Sequence, residues 1–225
     1  MSLFVVPEDG GSYYALTTAG SVALVVVIVL LILLISLLTG KKDKKISINQ
    51  LAFSSMALAL AFVLSNLRIV KLPWGGSATL CSMLFVTLIG YWYGPRVGIA
   101  AGLAYGILQF IQGGGSYILD LLQACLDYFV AFAALGASGF FYKSKNGLIK
   151  GYIFAILLRG AFHSLGGYLY WMDYIPEGFP TPLIAVYPIV YNYAYILLEG
   201  VITLVIISLP PVSKALTRVK SMATS

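Results

Sequence analysis

Apolar residues in this chain come in long runs separated by short polar segments. The first run covers residues 21–38, inside an uncharged stretch at 10–40. Six more follow at about 48–67, 78–93, 97–112, 117–142, 151–172 and 183–209. A helix needs roughly 20 apolar residues to cross the hydrocarbon core of a bilayer. The pattern therefore predicts an all-α integral membrane protein. A six-helix core at 47–209 is preceded by an extra N-terminal transmembrane helix with a basic linker (1–46) and followed by a basic tail (210–225).

Composition sharpens this. Hydrophobic residues make up 60% of the 225 and charged residues only 10%, against about 25% charged in soluble domains. No stretch remains for a separate soluble domain. The net charge of +6 does not point to nucleic acid, because the basic residues are scattered over short loops and form no continuous patch. Cys81 and Cys125 fall inside apolar runs, away from any Cys/His cluster, and read as packing residues. No Walker A loop, dinucleotide fingerprint or HExxH is present, so nothing calls for a cofactor or a metal. Any ATP hydrolysis linked to this protein must come from another chain.

Charge also orients the threading. Glu8 and Asp9 precede the first run, and Lys41, Lys42, Lys44 and Lys45 follow it; a signal peptide would carry its positive charge in front. With the N-terminus outside, Arg96, Lys143, Lys145, Lys150, Lys214, Arg218 and Lys220 join those lysines on the inner face. Eleven of the 14 Lys and Arg are then inside, Arg68 and Lys71 outside, and Arg159 within a span. This is the bias of the positive-inside rule, and it predicts a cytoplasmic C-terminus.

Small residues mark close helix approach. Gly98, Gly102 and Gly106 line one face of the third core run and are expected to pack internally. Ala57 and Ala61 form a small-xxx-small face on the first core run, which spacing alone leaves open between an internal contact and a partner.

Ionisable groups inside a span are costly and mark function by default. Counting 1.5 Å per residue from the outer ends, Asp127, His163 and Asn192 fall on three different helices at one depth, about 14–15 Å in. Tyr128 adjoins Asp127, and Tyr187, Tyr191 and Tyr195 stand on the last core run. Trp74 and Trp171 are predicted at the outer end. An acid ringed by Trp and Tyr suits a flat organic cation through charge and cation–π attraction. Arg159, one turn inward of His163, is expected to pair with Asp127 or with Glu199. Asp120 lies near the outer interface, where it can be solvated.

These residues also carry a resemblance. The stretch from Gln123 through Asp127 and Tyr128 to Leu135 and Gly136, the Arg159…His163…Trp171…Tyr174-Ile-Pro176-Glu177-Gly178 series, and Tyr191-Asn192-Tyr-Ala-Tyr195 followed by Glu199 resemble the motifs of the thiamine-specific S components of energy-coupling-factor vitamin transporters. Asp127 stands where that family usually has Glu, and residues 1–46 have no counterpart in its six-helix core. The resemblance implies a non-enzymatic subunit that captures thiamine from outside. It also implies assembly with a membrane coupling subunit and two ATPase subunits. Asp127, Tyr128, His163, Trp171, Tyr187 and Asn192 would contact the vitamin, with Trp74 and Tyr117 close by, and Ala57 and Ala61 would dock the coupling subunit. Two alternatives are an S component for another heterocycle, of pyrimidine or pyridoxine type, and an intramembrane enzyme using Asp127 and His163 as an acid–base pair.

The charge bias generates a direct test. Single cysteines introduced at positions 5 and 222 are expected to label from opposite sides of intact cells, and labelling of both from one side would overturn the threading.

Overall fold

The computed structural model describes residues 3–8, 13–20, 22–23, 26–27, 30, 46–113 and 118–225. All six core helices are present: α1 (Ile48–Ser65), α2 (Ser82–Tyr93), α3 (Pro95–Gln112), α4 (Leu121–Phe141), α5 (Gly147–Tyr170) and α6 (Tyr187–Ser208). Among the described residues α1, α4, α5 and the stretch Thr181–Ser208 are long and apolar enough to cross a membrane, and α2 is a shorter apolar helix. A seventh helix, α7 (Pro210–Ala223), occupies the basic tail. It is fastened to the bundle end by the Tyr93 hydroxyl, which donates to the Ala223 carbonyl at 2.9 Å, and by Lys220, whose ammonium lies 3.7 Å from the Tyr91 ring centroid.

Among the described residues two short antiparallel strand pairs interrupt the all-helical pattern. β1 (Val5–Glu8) pairs antiparallel with β2 (Tyr13–Leu16), and Val5 is buried against Ile118 and Ala124 at the start of α4. Leu3, 70% exposed, is therefore a more accessible labelling position than Val5. Most of the expected N-terminal span lies outside the described residues. Its described positions 22–23, 26–27 and 30 are helical, with Val22, Val26 and Leu30 exposed and Val27 packed on Leu103, Cys125 and Phe129.

The second hairpin corrects a boundary. Helix was expected from residue 78, but β3 (Arg68–Lys71) pairs antiparallel with β4 (Ser77–Thr79), and α2 begins only after Cys81 takes a left-handed turn at φ 58°. The physical cause is Glu199. Its carboxylate accepts from the Thr79 amide (2.9 Å) and hydroxyl (2.6 Å), the Ser82 hydroxyl (3.2 Å) and the Met83 amide (3.0 Å). It thus satisfies open N–H groups at the start of α2 and draws the hairpin against α6. Asp120 also has a local role. It caps α4, accepting from the Leu122 amide at 2.8 Å.

The glycine face of α3 packs internally, as expected. A Cβ at Gly102 would sit 2.8 Å from the Ala133 Cα, and one at Gly98 2.9 Å from the Gly136 Cα. Ala57 and Ala61 need correction as a partner-docking face. They are 3% and 0% exposed, belong to the central core with residues of α2 and α3, and the Ala61 carbonyl accepts from the Tyr105 hydroxyl at 3.2 Å. The small residues that α1 turns outward are Ala52, Ser55 and Ala59.

Candidate functional site

A cavity of about 440 Å³ opens between the hairpin β3–β4 and the near ends of α3, α4, α5 and α6, within the size range of small-molecule sites. Asp127, Tyr128, His163, Trp171, Tyr187 and Asn192 all line it. Helical rise counted along three separate helices thus converges on one chamber. Tyr117 lies outside the described residues, as does the side chain of Trp74, whose backbone forms part of a 3₁₀ turn at Pro73–Gly75. That turn is tied to α6 by Tyr191, whose hydroxyl accepts from the Gly76 amide at 3.1 Å and donates to the Pro73 carbonyl.

Asp127 is the centre of the chamber. It sits in a π-helical stretch, Cys125–Val130, within α4, where the Ala131 amide reaches back five residues to the Leu126 carbonyl. Such widened turns recur at functional sites because they re-aim a side chain without ending the helix. Oδ2 of Asp127 accepts from Gln123 Nε2 at 2.6 Å and from the Trp171 indole at 3.4 Å, and Oδ1 lies 3.1 Å from His163 Nδ1. The fit against α5 needs the bare backbone of Gly166, where a Cβ would lie 2.9 Å from Oδ1.

Arg159 does not form the expected ion pair with Asp127 or Glu199. Its guanidinium lies over the Phe132 ring, 4.4 Å from the centroid, and its Nε donates to His163 Nε2 at 3.3 Å. A ring nitrogen that accepts from arginine carries no proton, so His163 is held neutral with Nδ1–H donating to Asp127. Asp127 and His163 both line the chamber, so the carboxyl group is presented to it beside the imidazole ring. Asn192 is committed on both sides. Its Nδ2 donates to the carbonyls of Pro188 (2.9 Å) and His163 (3.2 Å), and its Oδ1 accepts from Tyr195 (2.9 Å). It locks α6 to α5 at the level of the acid.

Sequence reasoning missed two groups. Gln123 is 1% exposed and bridges Asp127 to the backbone, its Oε1 accepting from the Leu119 amide at 3.1 Å. Its position one turn before Asp127 was the available signal. Tyr105, Gln109 and Gln112 also line the cavity. Their i, i+4, i+7 spacing forms a polar stripe on an otherwise apolar helix, and Gln109 and Gln112 bind Ser65 (2.9 Å) and Asn66 (2.6 Å) at the end of α1.

Comparison with known proteins places the chain. A family described as thiamine transporter protein matches residues 51–218. The chain belongs to that family. It is a multi-pass membrane transport protein and not an enzyme. The thiamine transporter ThiT of Bacillus subtilis (strain 168) is 29% identical over 177 residues, covering 73% of this chain and 89% of the relative. ThiT of Lacticaseibacillus paracasei is 34% identical over 123 residues, covering 48% of this chain and 59% of the relative. A solved structure of ThiT from Listeria monocytogenes shares the fold, with a TM-score of 0.58 and 24% identity over 72% of this chain and 94% of the other.

Gln123→Leu keeps the volume but removes the donor to Asp127 and the acceptor for Leu119. The expected loss of ligand affinity corresponds to about 1–3 kcal/mol, the cost of buried polar groups left unmatched. A ligand titration of the purified variant checks it, and wild-type affinity would show that Gln123 does not position the acid.

Proposed function

We propose that this protein is the thiamine-binding subunit of an energy-coupling-factor importer, taking the vitamin from the outer face. Family membership and one arrangement support the reading: the Asp127 carboxylate, flanked by the His163 ring and the Trp171 indole, inside a chamber lined by Tyr128 and Tyr187. Asp127 supplies the counter-charge for the thiazolium, and the aromatic walls supply ring contact and cation–π attraction, about 2 kcal/mol when desolvated. The cavity opens beside Arg68, Lys71 and the 171–187 segment, the side that the charge bias puts outside.

A titration of purified wild type and Asp127→Asn with thiamine, read by tryptophan fluorescence, tests this. The wild type is expected to bind, with quenching of Trp171. The variant turns an N–H donor toward groups that themselves donate and removes the counter-charge, so its loss is expected to reach about 3–5 kcal/mol. Equal binding by the two proteins would withdraw the assignment, and preferential binding of a pyrimidine or pyridoxine would move it to that ligand.

Energy must come from partner chains, and α1 is the surface we assign to the coupling subunit. It is the least covered of the long apolar helices, with 17% of its residues buried, and it turns Ala52, Ser55 and Ala59 outward. Small residues let a partner helix approach closely. Ala59→Trp is expected to abolish uptake by the assembled importer while leaving thiamine binding intact. Persistent uptake would place the docking surface elsewhere.

A further inference from the structure

We propose that the N-terminal segment braces the binding site from behind: Val5 and Val27 pack against the π-helical turn of α4 and its flanks, and hold Tyr128 in place at the chamber wall. The proposal rests on the thiamine reading and deepens it, because it gives that site two positioning residues that do not line the cavity.

Residues 1–46 precede the stretch that matches the thiamine transporter family, 51–218, so their contacts are additional to those of the matched core. Their described parts are joined at Thr17. The Thr17 amide donates to the Phe4 carbonyl at 2.9 Å, and its hydroxyl donates to the Leu3 carbonyl at 2.8 Å. The same hydroxyl accepts from the Gly20 amide at 3.0 Å, as an N-cap of the helical residues 18–20 does. The strand pair β1–β2 is thereby fastened to the helical residues that follow it.

Two valines carry the contact with the core. Val5 is buried in a cluster with Ile118 and Ala124. Val27 packs against the cluster of Leu103, Cys125 and Phe129. Their neighbours Leu3 and Val26 are exposed, so the contact belongs to particular side chains. The two clusters meet at one place. Phe110 and Tyr128 pack against both, and their rings meet edge to face with centroids 5.2 Å apart.

This meeting point adjoins the central acid. Within the π-helical stretch Cys125–Val130, Asp127 and Tyr128 line the chamber, while Cys125 and Phe129 belong to the cluster that Val27 packs on. A π-helical turn departs from regular α-helical spacing, so the aim of its side chains depends on what packs behind it. Lipid tails are as apolar as valine but present no fixed shape. A valine of the same chain, close-packed against the turn, does. The brace therefore acts on Tyr128 through Phe110 and the two clusters, without contact with the ligand.

The test is a thiamine titration of purified full-length variants. It is paired with the ligand-free thermal midpoint and the fluorine NMR resonance of a fluorotyrosine placed at position 128. Val5→Ala and Val27→Ala are each expected to weaken thiamine binding about three- to tenfold, the scale of residues that act through others. Each is also expected to shift or broaden the resonance before ligand is added. Leu3→Ala and Val26→Ala are expected to keep the wild-type affinity and resonance. A lowered midpoint with unchanged affinity in Val5→Ala and Val27→Ala marks plain packing, and overturns the brace while leaving the thiamine reading standing. So does weakened binding with an unmoved resonance, or an equal loss in Leu3→Ala and Val26→Ala. No thiamine binding by wild type overturns the thiamine reading and the brace together. If either alanine variant does not fold, the other decides alone. If neither folds, Val5→Thr and Val27→Thr take their place under the same criteria.

Discussion

A carboxylate set among apolar helices, with only a cavity face open to it, needs donors on its remaining sides. Asp127 meets this requirement with donors from two helices: Gln123 from its own helix, and His163 and Trp171 from α5 and its cap. Each donor is held in turn. Gln123 is anchored to the Leu119 amide, and the tautomer of His163 is set by Arg159. Asn192 holds the backbone beside His163. Truncating any member leaves a buried polar group unmatched, so the chamber keeps its shape before a ligand arrives. That preorganisation lowers the cost of ligand binding.

The backbone is shaped to the same end. α3 and α4 lie close because glycines on α3 meet the main chain of α4 directly, and this contact carries the helix holding the acid. Within α4 the π-helical turn widens around Asp127 and Tyr128, and a 3₁₀ stretch, Ala134–Phe141, tightens against the start of α3. The buried acid of α6 does different work. Glu199 binds amides and hydroxyls at the start of α2, so that the hairpin β3–β4 closes one wall of the chamber. Two intramembrane carboxylates therefore divide their tasks. One holds the backbone, and the other faces the cavity beside aromatic rings.

Arg159 shows where pairwise reasoning about charge falls short. Its sequence position allows either acid as a partner, yet it is stabilised by an aromatic face and an imidazole nitrogen. Cation–π contact offsets part of the cost of a desolvated guanidinium without neutralising it, so the charge stays available to the cavity.

The linear pattern determined much of this. Runs of apolar residues long enough to span a bilayer require helices, since only internal hydrogen bonding satisfies a backbone in lipid, and all six core helices lie where the runs lie. Helical rise placed Asp127, His163 and Asn192 at one depth, because 1.5 Å per residue holds on any helix. The spacing of Gly98, Gly102 and Gly106 marked a close contact, because only a bare backbone admits one. Rotation about the helix axes and the choice among competing partners were decided only by the tertiary structure. The inward turn of Ala57 and Ala61, the separation of Arg159 from both acids, the capture of the residue 77–83 segment by Glu199 and the bridge from Gln123 to Asp127 all depend on which groups meet across helices distant in sequence. Helical periodicity states which residues share a face, and only the packing of the neighbouring helices states what that face meets.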